Sequence, residues 1–243
     1  MITREEAREK IIFALDVPGM AEVQRWAGLL APHVGMFKIG KQLFTACGPA
    51  AVQAIRNAGG EVFLDLKYHD IPNTVAMASI EALRLGVRLF NLHALGGYEM
   101  MATTVDAVKR HADGGERAKI LAVTVLTSST RDTLREIGID VPVEEQVVRL
   151  ACLAQRAGID GVVASPREVP LIREACGPGF LVVTPGVRPL FAAADDQKRI
   201  MTPREAVEAG ADYLVIGRPI AAASDPIQAV EAILEEIVAG STP

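Results

Sequence analysis

Four charged residues stand at or just after apolar segments of this chain: Asp16, Lys38, Asp65 and Lys67. A charged side chain at the end of a buried segment is costly unless it is paired or has a function. These four residues come from three consecutive segments and alternate in sign, which favours one charged cluster that performs chemistry. A structural network of ion pairs is the alternative interpretation, because such networks show the same pattern.

The spacing around Lys67 predicts the kind of chemistry. Asp65 lies two residues before Lys67, so on a strand both side chains project to one face. Asp70 follows three residues later, where the strand should have ended, and Pro72 marks a new element. Two nearby carboxylates would favour the charged form of the lysine, whereas a Schiff-base lysine must become neutral to react. The pattern therefore indicates an ammonium group that stabilises negative charge and then donates a proton.

A second group of residues predicts an anion site. Gly217 and Arg218 follow the last apolar segment, and Gly186 follows the segment before it. Glycine lets backbone N–H groups approach an oxyanion, and an arginine can bind two phosphate oxygens at once. At the ends of other segments, Thr127 is a candidate contact. For His93, a substrate contact and a structural hydrogen bond are both left open.

The carboxylates of Asp16, Asp65 and Asp70 could in principle hold Mg²⁺, which prefers oxygen ligands. Lys38 and Lys67 are interleaved with them in the sequence and would repel a dication. We therefore expect no metal ion at these carboxylates.

The elements that must position these residues alternate between short β-rich segments and longer helical patterns. The β-rich segments are nearly continuously apolar, as expected for a parallel sheet that is covered on both faces. Eight such units in 243 residues predict an α/β fold, the (β/α)8 TIM barrel, with its functional residues at the carboxyl ends of the strands. An open doubly wound sheet is the alternative, because periodicity cannot show closure. The predicted strands are residues 11–16, 36–40, 61–67, 89–94, 119–126, 161–165, 180–185 and 213–217.

No linker or low-complexity stretch divides the chain, so we expect one domain over residues 1–243. Helix starts are predicted at residues 165–168 and 202–205, where Ser or Thr, proline and glutamate follow one another in the order of a capping box. Long loops are expected at residues 127–142 and 186–201, and long loops in compact domains are often lids.

The composition excludes several classes of protein. Half of the residues are apolar and 23% are charged, which excludes a disordered chain and predicts a large core. A net charge of −5 argues against general binding to nucleic acid or to anionic membranes. Cys47, Cys152 and Cys176 are odd in number and lack metal-ligand spacing, which predicts thiols without a special role. The first residues show no signal-peptide pattern and no apolar run approaches about 18 residues, so we expect a cytoplasmic protein without a membrane span.

Several segments closely resemble orotidine 5′-phosphate decarboxylases of the bacterial type, and together they span essentially the whole chain. The block DLKYHDIPNT at residues 65–74 is the most specific of them. The other segments are ALD at 14–16, FKIG at 37–40, LTS at 126–128, TPGVRP at 184–189, DQKR at 196–199 and IGRP at 216–219.

The resemblance implies a cofactor-free conversion of orotidine monophosphate to uridine monophosphate and CO2, the last step of de novo pyrimidine biosynthesis. It implies that Lys67 is the general acid and that Asp65 lies beside the departing carboxylate. It also implies a homodimer in which Asp70 and Thr74 enter the site from the partner subunit. Further contacts implied for the substrate come from Asp16 and Lys38 at the ribose hydroxyls, Thr127 at the pyrimidine edge, Gln197 between base and phosphate, and Arg188, Gly217 and Arg218 at the phosphate.

Two other functions are left open. A related decarboxylase acts on 3-keto-L-gulonate 6-phosphate with Mg²⁺ and shares the pattern Asp-x-Lys-x-x-Asp, but not the Ile-Pro-Asn-Thr continuation or the Asp-Gln pair. A non-catalytic protein that binds a phosphorylated ligand would need Arg218 and the glycines, but it would have no evident use for Lys67 between two aspartates. The charged cluster therefore favours an enzyme.

Overall fold

Eight parallel strands close into a barrel in this computed structural model, which describes residues 2–112, 117–192 and 201–239. Each strand pairs with the next one in the chain, and the first also pairs with the last, from Ile11 opposite Leu214 to Phe13 opposite Ile216. The predicted (β/α)8 barrel is confirmed, and closure excludes the open doubly wound sheet. The strands are β1 (Ile11–Ala14), β2 (Met36–Gly40), β3 (Val62–Tyr68), β4 (Leu89–His93), β5 (Lys119–Val123), β6 (Gly161–Val163), β7 (Leu181–Pro185) and β8 (Tyr213–Ile216).

Helices cover the outer face of the barrel. They are α1 (Arg4–Lys10), α2 (Met20–Leu30), α3 (Lys41–Cys47), α4 (Pro49–Asn57), α5 (Pro72–Arg84), α6 (Gly97–His111), α7 (Arg131–Glu136), α8 (Val143–Arg156), α9 (Val169–Cys176), α10 (Pro203–Glu208), α11 (Arg218–Ala221) and α12 (Pro226–Ala239), with 3₁₀ turns at Ala94–Gly96 and Pro166–Glu168. Within the described ranges, no helix has both the length and the apolar character needed to cross a membrane.

Several strands are shorter than the sequence pattern predicts. The pattern at 11–16 corresponds to a strand that ends at Ala14, and the pattern at 119–126 to one that ends at Val123. The side chain of Leu15 is fully buried although it lies beyond β1. Apolar character therefore continues past the hydrogen-bonded ladder, because the first residues of the following loops still pack into the core.

Two helix starts follow the predicted chemistry. The Thr202 side chain accepts a hydrogen bond from the backbone N–H of Glu205 (3.2 Å), and the Glu205 carboxylate accepts one from the N–H of Thr202 (2.8 Å). At the other start, the Glu168 carboxylate accepts from the N–H of Ser165 (2.9 Å).

The loop predicted at 127–142 is wrong in part, because its middle forms the short helix α7 behind a Thr130 cap. Much of the second predicted loop, residues 193–200, lies outside the described residues.

The strands alternate between two apolar layers. One face of each strand packs against the helices, where Phe13, Phe37 and Phe90 are at most 1% exposed. The other face fills the barrel interior with a layer that includes Ile12, Met36, Phe63, Leu89, Leu121 and Val183. This interior layer is a packed floor, and the residues above it at the carboxyl ends of the strands are the ones available for function.

Candidate active site

Charged and polar side chains replace the apolar ones directly above the interior floor. Lys38, Asp65 and Asn91 each follow a residue of the floor by two positions. The floor residues are Met36, Phe63 and Leu89, respectively. Strand alternation therefore places these side chains inside the barrel near its carboxyl end.

The four charged residues predicted from the sequence form a connected row of ion pairs. The Nζ atom of Lys38 lies 3.1 Å from Oδ1 of Asp16 and 3.7 Å from Oδ2 of Asp65. The Nζ atom of Lys67 lies 2.5 Å from Oδ1 of Asp65. The structure thus brings Asp16, Lys38, Asp65 and Lys67 together in the order of alternating sign.

Burial differs along this row. The side chains of Lys38 and Asp65 are 11% and 13% exposed, that of Lys67 is 25% exposed, and that of Asp16 is 63% exposed. A carboxylate as buried as that of Asp65 is stable only when it is paired and hydrogen-bonded. Lys38 and Lys67 supply the positive charges that pair with it, so each of these three groups is stabilised by its neighbours.

The backbone at Lys67 departs from a regular strand. Its φ angle is +53°, and among the described residues other than glycine it alone has a positive φ. The pairing of β3 with β4 shifts between Leu64 and Tyr68, so β3 bulges at this point. The sequence predicted that Asp65 and Lys67 would meet because they share one face of a regular strand. The two side chains do meet, but that reason was wrong, because a bulge with a left-handed residue brings them together. Such strain persists only where the surroundings hold it.

Asn91 supplies contacts that hold this conformation, and sequence reasoning missed it. Its side chain is fully buried. Its Oδ1 accepts a hydrogen bond from the backbone N–H of Lys67 (2.8 Å), and its Nδ2 donates to Oδ1 of Asp65 (2.7 Å). The signal was an amide in an apolar strand, two residues after the inward-facing Leu89. A buried amide must be hydrogen-bonded, and this one is bonded to both members of the ion pair.

Gly40 keeps space for the outer part of the row. A Cβ atom at this position would lie 3.1 Å from Nζ of Lys38 and 3.4 Å from Oδ1 of Asp16. Its φ of −88° is open to other residues. The glycine in the segment FKIG is therefore explained by the space around this ion pair and not by backbone conformation.

Two cavities lie beyond the carboxyl ends of β7 and β8. The first, of 200 Å³, is lined by Lys38, Asp65, Lys67 and Thr127, and also by Pro185 and Val215. The second, of 360 Å³, is lined by Arg188 and Arg218, each three residues further along the same two chain segments. The charged row thus faces one cavity, and the two predicted phosphate arginines meet at the other.

Gly217 lies where β8 gives way to α11. A Cβ atom there would lie 3.1 Å from the Cβ atom of Ala14, so the chain approaches β1 closely. Arg188 is 7% exposed, and Gln197 lies outside the described residues.

A further cavity, of 570 Å³, contains none of the residues of the charged row. It opens at the amino ends of the strands, near Arg88 and Lys119, and that face of a barrel generally serves stability.

Asp70 and Thr74 do not join the charged row within this chain. Both are exposed. The Oδ1 atom of Asp70 accepts a hydrogen bond from the N–H of Ile71 (2.7 Å) at the start of α5. Of the two carboxylates that flank Lys67 in the sequence, Asp65 pairs with it within this chain.

His93 ends β4 beside the row and packs against His69 with the rings tilted at 42°, with 5.5 Å between the ring centroids. Burial, as the largest cause, and the neighbouring His69, Lys41 and Lys67 together lower the pKa of His93 to about 4 against the opposing effect of Asp65. This imidazole is therefore neutral at neutral pH and adds no charge to the row.

A closed barrel of eight parallel strands, with charged side chains gathered at the carboxyl ends of the strands, is typical of the (β/α)8-barrel enzymes. The model of the orotidine 5′-phosphate decarboxylase / HUMPS family matches residues 9–233, so the chain belongs to that family. The chain is 73% identical to the orotidine 5′-phosphate decarboxylase of Geobacter sulfurreducens and 72% identical to that of Geotalea daltonii, in each case over 98% of this chain and 100% of the relative. The crystal structure of orotidine 5′-phosphate decarboxylase from Lactobacillus acidophilus superposes with a TM-score of 0.83 at 40% identity, over 93% of this chain and 98% of that one.

Proposed function

We propose that this protein decarboxylates orotidine 5′-phosphate to uridine 5′-phosphate and CO2, in the last step of uridine monophosphate biosynthesis. The observation that carries the proposal is the Lys67 ammonium, held 2.5 Å from Asp65 above an apolar floor and at the edge of a 200 Å³ cavity. The names of relatives that match nearly the whole chain support the same reaction. A protein that only bound a phosphorylated ligand would have no use for this buried pair.

The chemistry explains why an ammonium is needed. When the bond between C6 and the carboxylate breaks, its electron pair stays on C6 in the plane of the ring, where the π system cannot delocalise it. A fixed positive charge next to C6 stabilises that carbanion, and no solvent has to reorganise as the charge develops. Lys67 supplies the charge and then gives its proton to C6, and the amine is reprotonated from water.

Asp65 and Lys38 have supporting roles in this proposal. Asp65 fixes the position of the Lys67 ammonium and lies beside the departing carboxylate. Lys38 bridges Asp65 and the exposed Asp16. Asp16 and Lys38 contact the ribose hydroxyls. Thr127 lines the same cavity and meets the pyrimidine edge.

The phosphate binds in the second cavity, where Arg188 and Arg218 converge beside Gly217. β7 and β8 line the first cavity, and the segments that follow them carry the two arginines of the second, so one substrate can reach from the arginines to the lysine. Binding energy from a remote phosphate can be used to position the reacting carbon. Gln197 is assigned to the link between base and phosphate on the family resemblance alone.

We further propose that the enzyme is a homodimer in the cytoplasm and that Asp70 and Thr74 complete the site of the partner subunit. Both residues are exposed at the start of α5 in the single chain. Ile71 is 66% exposed and Met77 is 48% exposed on the same segment, and Tyr98 is 51% exposed on α6, which packs against α5. Exposed apolar side chains grouped in this way are typical of an interface.

The decisive experiment mixes the purified protein with orotidine 5′-phosphate in EDTA and follows the pyrimidine absorbance, with uridine 5′-phosphate identified by chromatography. The proposal predicts full turnover under chelation. No turnover of orotidine 5′-phosphate, together with Mg²⁺-dependent release of CO2 from 3-keto-L-gulonate 6-phosphate, would instead favour the metal-dependent 3-keto-L-gulonate 6-phosphate decarboxylases. Absence of turnover with either substrate would support a binding protein.

A further inference from the structure

Two of the three cysteines lie in contact on the outside of the barrel. Cys152 belongs to α8 and Cys176 is the last residue of α9, and their Sγ atoms are 4.0 Å apart. Both side chains are partly exposed, so small molecules can reach them. Cys47, on α3, is also partly exposed and serves as an internal reference. The spacing of 24 residues between Cys152 and Cys176 in the sequence does not reveal this contact.

The local structure holds the two sulfurs in place. Gln155, on the same helix as Cys152, donates its Nε2 hydrogen to the carbonyl oxygen of Cys176 (2.7 Å). Arg173, one turn before Cys176, donates to Asp212 (2.6 Å) and to the carbonyl oxygen of Gly210 (2.6 Å). These bonds tie the end of α9 to α8 and to the start of β8, so the backbone at Cys176 is anchored beside the helix that carries Cys152.

The distance of 4.0 Å favours a shared ligand atom over a direct bond between the sulfurs. Two thiolates that bind one metal ion at about 2.3 Å are about 3.8 Å apart in a tetrahedral geometry and about 4.6 Å apart in a linear one. A disulfide requires about 2.05 Å between the two sulfurs, so they would have to approach each other by about 2 Å. The observed separation falls inside the first range and far outside the second.

We propose that Cys152 and Cys176 form a two-thiol site that chelates one thiophilic centre of low coordination number, such as Cu(I) or trivalent arsenic. The described part of the chain has no group of three or more His, Cys, Asp or Glu side chains arranged to hold a metal ion, so the ligand is held by the two sulfurs. Soft thiolate ligands select such centres. On binding, each thiol loses its proton and forms one bond to the ligand atom, with no change of oxidation state.

The site is independent of the proposed decarboxylation. Cys176 lies where α9 ends, before the amino end of β7, whereas the charged row lies at the carboxyl ends of the strands. Occupation of the thiol pair should therefore leave turnover of orotidine 5′-phosphate within about twofold of the free enzyme.

Phenylarsine oxide tests the proposal, because its arsenic atom forms two bonds to sulfur and releases one water molecule. The protein is incubated with the reagent, an excess of a monothiol removes adducts held by a single sulfur, and the intact mass is measured. We expect one arsenical per chain in the wild type and in Cys47→Ser, and none in Cys152→Ser or Cys176→Ser.

A second measurement uses the wild type alone and does not depend on the folding of the variants. Proteolysis of the adduct should release the peptide that contains Cys152 joined through arsenic to the peptide that contains Cys176. The proposal is overturned if the wild type retains no arsenical, if the Cys152→Ser protein retains as much as the wild type, or if the bridged peptides contain Cys47.

Discussion

Asn91 gives the sharpest test of how the fold prepares Lys67. Its amide accepts from the strained backbone of Lys67 and donates to Asp65, at 2.8 and 2.7 Å. In Asn91→Ala, the buried N–H of Lys67 is left unpaired, which costs about 1–3 kcal/mol. The left-handed conformation itself costs about 1–2 kcal/mol and then has lost the bond that held it. Lys67 should therefore relax toward an ordinary φ and carry its ammonium away from the reacting carbon.

The expected effect lies in kcat. A misplacement of about 1 Å at a reacting group lowers the rate about 100-fold, which corresponds to about 2.7 kcal/mol of transition-state stabilisation. Affinity for uridine 5′-phosphate should change less than roughly threefold, because ribose and phosphate contacts remain. Asn91→Asp retains an acceptor for the Lys67 N–H but loses the donor to Asp65 and adds a like charge, so it should also lose turnover.

The assay combines kcat and KM from pyrimidine absorbance, a titration with uridine 5′-phosphate, and urea unfolding for each variant. Asn57→Ala is the matched control, because Asn57 is an exposed asparagine at the end of α4. Folded Asn91→Ala protein with wild-type kcat would refute the reasoning. So would a variant whose only defect is a lower free energy of unfolding, since Asn91 would then be merely structural.

Three further predictions follow from the same geometry. If Asp70 serves the partner, subunit exchange between the inactive variants Lys67→Ala and Asp70→Ala should restore about a quarter of wild-type activity, because half of the dimers are hybrids with one intact site of two; verified exchange without recovery would contradict the shared site. His93 has a lowered pKa in the folded state, so the unfolded chain takes up the proton first and stability falls as pH drops from 6.5 to about 4; after allowance for its partial exposure, urea unfolding should show His93→Asn to remove on the order of 1 kcal/mol of that loss, and equal pH profiles would contradict the burial of the neutral ring. Gly40→Ala should lower kcat/KM about tenfold while the free energy of unfolding changes by less than about 1 kcal/mol, and an unchanged kcat/KM would contradict its spacing role.

The barrel and the charged row could be predicted because they depend on patterns that the sequence displays. Parallel strands buried on both faces give continuous apolar runs, and charges at their ends stand out. The upper limits of the strands could not be predicted, because Leu15 remains buried after the ladder has ended. Burial and strand pairing are different properties, and a hydrophobic pattern reports only the first.

Other features needed three-dimensional information to different degrees. The inward position of Asn91 follows from alternation with Leu89 and could have been found. The bulge at Lys67 could not, since a regular period of two was the only rule available and the bulge breaks it. The contact between Cys152 and Cys176 depends on how α8 and α9 pack side by side, and a spacing of 24 residues carries no trace of it.

Lys67 is the centre of this account, and one pair of variants tests it most directly. Lys67→Ala and Arg218→Ala are compared for turnover of orotidine 5′-phosphate in EDTA and for affinity toward uridine 5′-phosphate. The account predicts that Lys67→Ala loses turnover yet keeps much of its affinity for the product, whereas Arg218→Ala loses affinity strongly. A Lys67→Ala protein that turns over at near the wild-type rate would contradict the assignment of this lysine as the acid.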